Sequence, residues 1–441
     1  MPNTPSACRG VRTRGVFYYS EFHVLPLRAI ITSMLESFIV LFNTPVIHFL
    51  GQIHGVFVAT AFLWGPLFSL WLAKVLWLAY IRADYIKNNF DFVLLDIKLP
   101  RVIGKTPVAM ELVLQALYQP DKTNWWERWW KGEVVPWFSL ELVSIEGAVK
   151  FFIRTPSKYR KVIESTIYAQ YPDIEVFEVK DYVSLAPFLN SKDGWKLWGI
   201  HFKLSKPDPY PIRTYIDYGL DSTMTDEENK SDPLTSLIEF LGTVGRGQQL
   251  WMQILVQPTG KRFAKSGTWF GKQDWQDEGK KLIQDLQDKY AGELGMRATK
   301  RQMEIIHAIE RSIGKVGFDT GIRALYIAKS EYFDASNKSG ITNAFQQYST
   351  QDLNGFRPTN STGFDFPWQD FNDIRGRRKR KRFYEAYVLR SWFHPPYVRK
   401  PFILNTEELA TIFHFPGGVA ETPTFTRIES RKGEPPSNLP V

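Results

Sequence analysis

Seven of the eight residues from Arg375 to Arg382 are cationic: Arg375, Arg377, Arg378, Lys379, Arg380, Lys381 and Arg382. That density suits neutralising phosphates, whether of nucleic acid or of anionic lipid. Phe371, Phe383 and Tyr384 flank the run and offer faces on which bases stack. The bland alternative is a solvated loop leading into a strand, which aromatic residues commonly begin. A second grouping is aromatic. Trp125, Trp126, Trp129 and Trp130 form a W-W-x-x-W-W pattern beside Arg128 and Lys131, with Trp137 just beyond. It reads as a short amphipathic segment at a membrane interface or a partner surface. Packing over a sheet is the alternative.

Other chemistries find little in the chain. Gly267 to Gln273 has one residue too few for a phosphate-binding Walker A loop and carries Gln where Ser or Thr binds the metal. Gly242 to Gly247 follows a predicted helix instead of opening one, so it reads as a helix stop. The histidines, His23, His48, His54, His201, His307, His394 and His414, form no paired metal motif, and Cys8 is the one cysteine. There is no G-x-S-x-G elbow. Glu407 and Glu408 form an acidic pair that complements a helix N-terminus. The expectation is a non-enzyme with no catalytic residues, metal or cofactor.

The charge is concentrated. The chain has 441 residues and a net charge of +9, and the window from Arg375 to Lys400 holds ten Lys/Arg and one acid, Glu385. That window alone accounts for the excess, and the rest is neutral. An apolar share of 44%, with 30 Gly and 27 Pro, excludes collagen-like and wholly disordered chains.

The N-terminal part predicts membrane insertion. Between Ala29 and Ala73 the only charged residue is Glu36. A span needs about 20 apolar residues. Residues 29–50 and 55–81 are therefore expected to form two membrane helices joined near Gly51–His54. A shallower re-entrant hairpin is the alternative, because Asn43, Pro45, His48, Gly65 and Pro66 interrupt the runs. Arg9, Arg12, Arg14 and Arg28 precede the hairpin and Arg82 and Lys87 follow it, which puts both ends in the cytoplasm. Trp64, Trp71, Trp77 and Tyr80 are candidate interface anchors.

The remainder predicts an α+β fold. Alternation over 93–99, a helix over 107–118, strands over 137–145 and 148–154, a helix over 157–170 and a strand over 174–180 give β-α-β-β-α-β, the ferredoxin-like order. The order recurs as strand 195–204, helix 233–242, strand 248–256, two inserted helices at 273–291 and 298–313, strand 316–328, helix 336–348 and a last strand near 382–393. The expected organisation is a basic segment (1–28), a membrane hairpin and juxtamembrane helix (29–88), and a first ferredoxin-like unit (89–184). A second unit (185–400) with helical insertion 273–313 and a short helix with an extended tail (401–441) complete it. Asn405 is the expected cap of that helix, with Glu408 in the capping-box position.

Several phrases resemble one family together: Leu94–Pro100 (LLDIKLP), Thr106–Tyr118, Trp137–Tyr182, Tyr210–Tyr218 (YPIRTYIDY) and Asn405–Gly417 (NTEELATIFHFPG). They are similar to the membrane-linked N-terminal region of type IV secretion and conjugation ATPases of the HerA/coupling-protein sort. The nearest likeness is to an uncharacterised family of candidate-phylum bacteria. In longer relatives the segment holding Asn405, Glu407, Glu408, His414 and Pro416, and a tail like Pro435–Pro440, lead into a P-loop motor. No residue here matches that P-loop, so ATP hydrolysis does not carry over. The resemblance implies a bacterial inner-membrane protein with its soluble part in the cytoplasm. It would be a non-catalytic scaffold of a type IV secretion-like or DNA-transfer apparatus. The partners expected are membrane lipids, a separate P-loop ATPase or secretion subunits, DNA, and further copies of itself. A membrane-tethered nucleic-acid binder using 375–382 is the alternative, and an enzyme of unknown type the second.

Overall fold

The computed structural model describes residues 45–417, apart from 101–102, 121–123, 186–193, 222–231, 262, 265–271, 293–298, 365, 367 and 369. The basic segment 1–28, the first part of the apolar hairpin and the C-terminal tail lie outside the described residues. The chain separates into two units, Met1–Trp77 and Leu78–Val441.

In the first unit lies α1 (Pro45–Ala59), and α2 (Ala61–Asn89) begins there. The stretch Trp64–Asn89 is long and apolar enough to cross a membrane, by length and composition. Phe62, Trp64, Leu67, Phe68, Leu70 and Trp71 are all exposed. The expected turn at Gly51–His54 is absent. Those residues continue α1, and the break comes at Thr60, whose hydroxyl donates to the Val56 carbonyl at 2.7 Å. A glycine inside a helix costs only about 1 kcal/mol relative to alanine, too little to end an apolar run.

The second unit is built on one antiparallel sheet. Its strands are β1 (Phe92–Lys98), β2 (Phe138–Ile145), β3 (Ala148–Pro156), β4 (Glu175–Val179), β5 (Trp195–Leu204) and β6 (Gln248–Pro258). After a two-stranded ribbon, β7 (Phe263–Ala264) and β8 (Lys272–Gln273), come β9 (Gly317–Lys329), β10 (Phe356–Thr359) and β11 (Phe402–Asn405). The order across the sheet is β10-β5-β9-β6-β2-β3-β1-β4. β11 takes over beside β9 where β5 leaves off, pairing Phe402 with Thr320. Between β2 and β3 the chain reverses through Glu146 (φ 52°) and Gly147 (φ 90°), the left-handed pair a tight hairpin needs.

One face of the sheet is covered by helices α3 (Pro107–Ala116), α5 (Arg160–Gln170), α6 (Pro233–Gly242), α9 (Ser336–Ala344) and α11 (Thr406–Ile412). α4 (Trp125–Trp130) lies outside that layer, and α7 (Trp275–Gly292) and α8 (Lys300–Ile313) pair through Ile283, Ile306 and Ile309. Strand alternation sends Leu140, Leu142, Met252, Ile254, Ile322 and Ala324 into this main core. The opposite face receives α10 (Ile374–Val388), which lays Phe383, Tyr384 and Tyr387 on Leu197, Trp251, Leu325 and Ile327.

That helix corrects one expectation. Residues 382–393 are not the closing strand, since β10 fills that edge position. Arg and Lys are good helix formers. Gly376, Phe383, Tyr384 and Tyr387 recur at helical spacing and form the buried stripe. The basic run is thus a helical surface, not a loop.

A candidate polyanion interface over a buried polar row

Four adjacent strands carry a polar residue at one shared level of the sheet. His201 on β5 pairs in register with Arg323 on β9, Arg323 with Gln253 on β6, and Gln253 with Glu141 on β2. Each interrupts an apolar strand, and each is buried on the face beneath α10. Arg323 Nε donates to Gln253 Oε1 at 2.7 Å, and Gln253 Nε2 donates to Glu141 Oε1 at 2.7 Å. Tyr182 donates to Glu141 Oε2 at 2.7 Å and meets the Tyr387 hydroxyl at 2.8 Å.

Arg390 closes the row. It follows α10 with a left-handed φ of 49° and forks onto Glu141 at 3.0 and 3.1 Å. It also pairs with Asp181. Burial alone would raise the Glu141 pKa, but Arg390, Ser139 and Tyr182 outweigh it and hold the carboxyl down at about 2. Burial lowers Arg323 to about 9. Buried hydrogen-bond networks rigidify a core, and the links from Arg323 through Gln253 and Glu141 to Arg390 fix the seat of α10. The fit leaves no slack: a Cβ on Gly199 would stand 2.7 Å from Phe383, and one on Gly321 2.2 Å from Trp392.

On that seat, α10 turns its charges outward. Arg375, Arg377, Arg378, Lys381 and Arg382 are exposed, and Lys379 and Arg380 half-buried. Asp370 accepts the Arg375 and Gly376 N–H groups at 2.9 and 2.5 Å and so caps the first turn. Asp373 pairs with Arg380, and Glu385 lies 3.8 Å from Lys381. Arg378 and Arg382 have no ion pair among the described residues.

A groove runs along each side of the helix. One, of about 720 Å³, is lined by Lys196, Lys338, Arg377, Arg380 and Lys381, with Asp373 among them. The other, of about 730 Å³, has His201 and Arg323 in its lining. Exposed Phe364, Phe366 and Trp368 stand in the loop before α10, the last two stacked at 4.6 Å. This arrangement can neutralise phosphates and offer aromatic faces beside them.

The other sequence-predicted residues go elsewhere. On α2, Trp64, Trp71, Trp77 and Tyr80 are exposed. Trp125, Trp126, Trp129 and Trp130 make up most of the one-and-a-half-turn α4, capped by Asn124. Trp126 and Trp130 are exposed with ring centroids 5.2 Å apart, and Trp129 is half-buried. Gly132, just after α4, packs so close that a Cβ would meet the Ile81 carbonyl at 2.5 Å. Asn405, Glu407, Glu408, His414 and Pro416 are all buried in the helical layer. Asn405 caps α11 with Glu408 completing the box, and Glu408 also accepts the Ile212 N–H at 2.8 Å. Glu407 does more than complement a dipole: it pairs with Lys315 at 3.0 Å and Arg311 at 3.3 Å. His414 Nε2 lies 3.1 Å from Asp232, and its Nδ1 2.8 Å from the Ala410 carbonyl. Among the described residues no three His, Cys, Asp or Glu side chains gather as a metal set.

Residues 133–427 match the family described as a domain of unknown function, DUF8128. The chain belongs to the DUF8128 family. The match spans β2 to α11, so the DUF8128 region contains the whole polar row, α10 and both grooves. No curated protein matches the chain.

The polar row is what sequence reasoning missed. Its signal is present as single polar residues inside apolar strands: Glu141 in FSLELVSI, Gln253 in LWMQILV and Arg323 in GIRALYI. Their alignment depends on strand register, which no local pattern encodes.

Proposed function

We propose that this DUF8128 protein is a membrane-anchored, non-catalytic scaffold that holds nucleic acid for a type IV secretion-like or DNA-transfer apparatus. The observation that carries the reading is α10. Its cationic face is solvent-facing, rigidly seated, and flanked by exposed aromatic rings. Phosphate contacts supply affinity, and rings beside them take bases.

The sheet order supports two ferredoxin-like units joined edge to edge: β4-β1-β3-β2 and β10-β5-β9-β6 repeat one order, and β2 pairs with β6. The α7–α8 pair is the insertion in the second unit. The exposed apolar surface of α1 and α2 supports membrane attachment as a hairpin, with the soluble body on the cytoplasmic side of a bacterial inner membrane. A separate P-loop ATPase or secretion subunit and further copies of the chain are the proposed partners, on the strength of the resemblance alone.

A second reading has its own observation. Phe364, Phe366, Trp368 and Ile374 are exposed apolar groups next to the basic face, a combination that also suits anionic lipid. Competition separates the two. Nucleic acid binding that survives an excess of anionic vesicles and is lost when Arg377, Arg378, Lys381 and Arg382 become Gln supports the proposal. Binding to vesicles with none to nucleic acid overturns it.

A further inference from the structure

The two grooves beside α10 differ in one respect. The first contains a carboxylate, Asp373, which already pairs with Arg380. The second contains Arg323, Arg375, Arg378, Lys379, Arg382 and Arg399 and no acidic side chain among the described residues. Its volume, about 730 Å³, falls within the range of small-molecule sites. Like charges such as Arg382 and Arg399 around one concavity favour an anion between them.

Its floor carries a second, independent sign. His201 is 5% exposed. Its ring stacks on Phe383 at 4.3 Å and meets Trp392 edge-on at 5.0 Å. The Asn360 amide nitrogen faces Nδ1 at 2.9 Å, so Nδ1 accepts and the ring proton sits on Nε2. Nε2 has no hydrogen-bond partner among the described residues. A buried donor left unmatched destabilises the fold unless a ligand acceptor meets it. Burial, and then the charges of Arg323, Arg399 and Lys379, push the imidazole pKa down to about 2. At neutral pH it is therefore an uncharged donor in a cationic groove. At the rim, Phe364 is partly exposed with the Lys379 ammonium 5.2 Å from its ring centre.

We propose that this groove binds a phosphorylated small molecule of mononucleotide size, with its phosphates on Arg382, Arg399 and the His201 donor and its planar base against Phe364. The site shares Arg378 and Arg382 with the outward face of α10, and adds Arg399, His201 and Phe364 from outside that helix. The shared chemistry is a base carrying terminal phosphates, supplied either by a free nucleotide or by the 5′-phosphorylated end of a strand.

The test is calorimetric titration of the full chain in detergent or nanodiscs. The probes are magnesium-free ATP, inorganic pyrophosphate, and one short oligonucleotide with either a 5′-phosphate or a 5′-hydroxyl. ATP is expected to bind more tightly than pyrophosphate by roughly fivefold or more, the lower end of a base–aromatic stack. Phe364→Ala should remove that difference. Arg382→Gln with Arg399→Gln should weaken both ligands about tenfold or more, the scale of one lost charge-assisted contact. The charge-matched pair Lys280→Gln with Lys300→Gln, exposed on the α7–α8 hairpin and in the lining of neither groove, should leave binding within about twofold. Preference for the 5′-phosphorylated strand over ATP assigns the site to strand ends and keeps the proposal. No binding of any phosphorylated probe, or equal losses in the two double variants, overturns it. A wild-type chain that binds ATP but not the 5′-hydroxyl oligonucleotide counts against the nucleic-acid scaffold instead, so the two failures are distinguishable.

Discussion

Arg390 and Glu141, 249 positions apart, meet in a two-pronged ion pair in which both side chains are almost wholly buried. The pair ties the end of α10 to the middle of the sheet. Breaking a buried pair by removing one partner typically costs about 3–5 kcal/mol. Glu141→Gln and Arg390→Met should each lower the midpoint of chemical denaturation correspondingly, read by near-ultraviolet circular dichroism. An unchanged midpoint would mean the pair does not hold the face together. The pH dependence follows the same contact. Glu141 titrates near 2 when folded, below its ordinary 4.5. Its contribution is present above about 4.5 and is lost as pH falls toward 2.

Gly199 makes a second test of the seat. Its Cα lies where α10 presses Phe383 onto β5, and an added methyl would stand 2.7 Å from that ring. Gly199→Ala should cost about 1–3 kcal/mol through overpacking. Because the helix must shift, nucleic acid binding should weaken as well. Stability lost without any change in binding would separate α10's position from its function.

Glu408 predicts an opposite pH trend. Burial raises its pKa to about 8 against the Asn405 and Ile212 N–H groups that favour the ion. The folded state therefore prefers the protonated acid. Its contribution is full below about 4.5 and disappears as pH rises through about 8. Denaturation midpoints from pH 5 to 9, read for wild type and Glu408→Gln, should show this downward slope flattened in the variant. Equal slopes in both proteins would assign the trend to another group.

Membrane attachment makes a prediction in α2. A charge at the centre of a spanning helix costs about 2.5–3.5 kcal/mol on insertion scales. The protein should remain in the membrane pellet after an alkaline wash, and Leu70→Arg with Leu76→Arg should release a measurable share. Complete release of the wild type by alkali would remove the anchor from the account.

Much of the second unit is legible in sequence because local signals are strong there. Pro233 and Gly242 bound α6 where a helix-initiating proline and a terminal glycine mark them. Glu146-Gly147 marks the β2–β3 hairpin, and Asn405 with Glu408 marks the start of α11. In sequence the basic run is compatible with a loop before a strand, because its charge obscures the helical stripe of Gly376, Phe383, Tyr384 and Tyr387. Gly51 reads as a break between the apolar runs, but the helix continues through it. The buried row from His201 to Glu141 was invisible for another reason. Its members are brought together by long-range register, and each alone is only a polar residue in a strand.

The central claim is that the outward face of α10 binds the phosphates of nucleic acid. The most direct measurement is the affinity of the full chain for a fluorescent single-stranded DNA over a range of salt concentrations. Wild type should show log affinity falling linearly with log salt, with a slope of about −0.7 per phosphate neutralised. Arg378→Gln with Arg382→Gln should make the slope shallower by about one to two units and weaken binding across all sequences alike. Salt-independent binding, or a slope unchanged in that variant, would contradict the account.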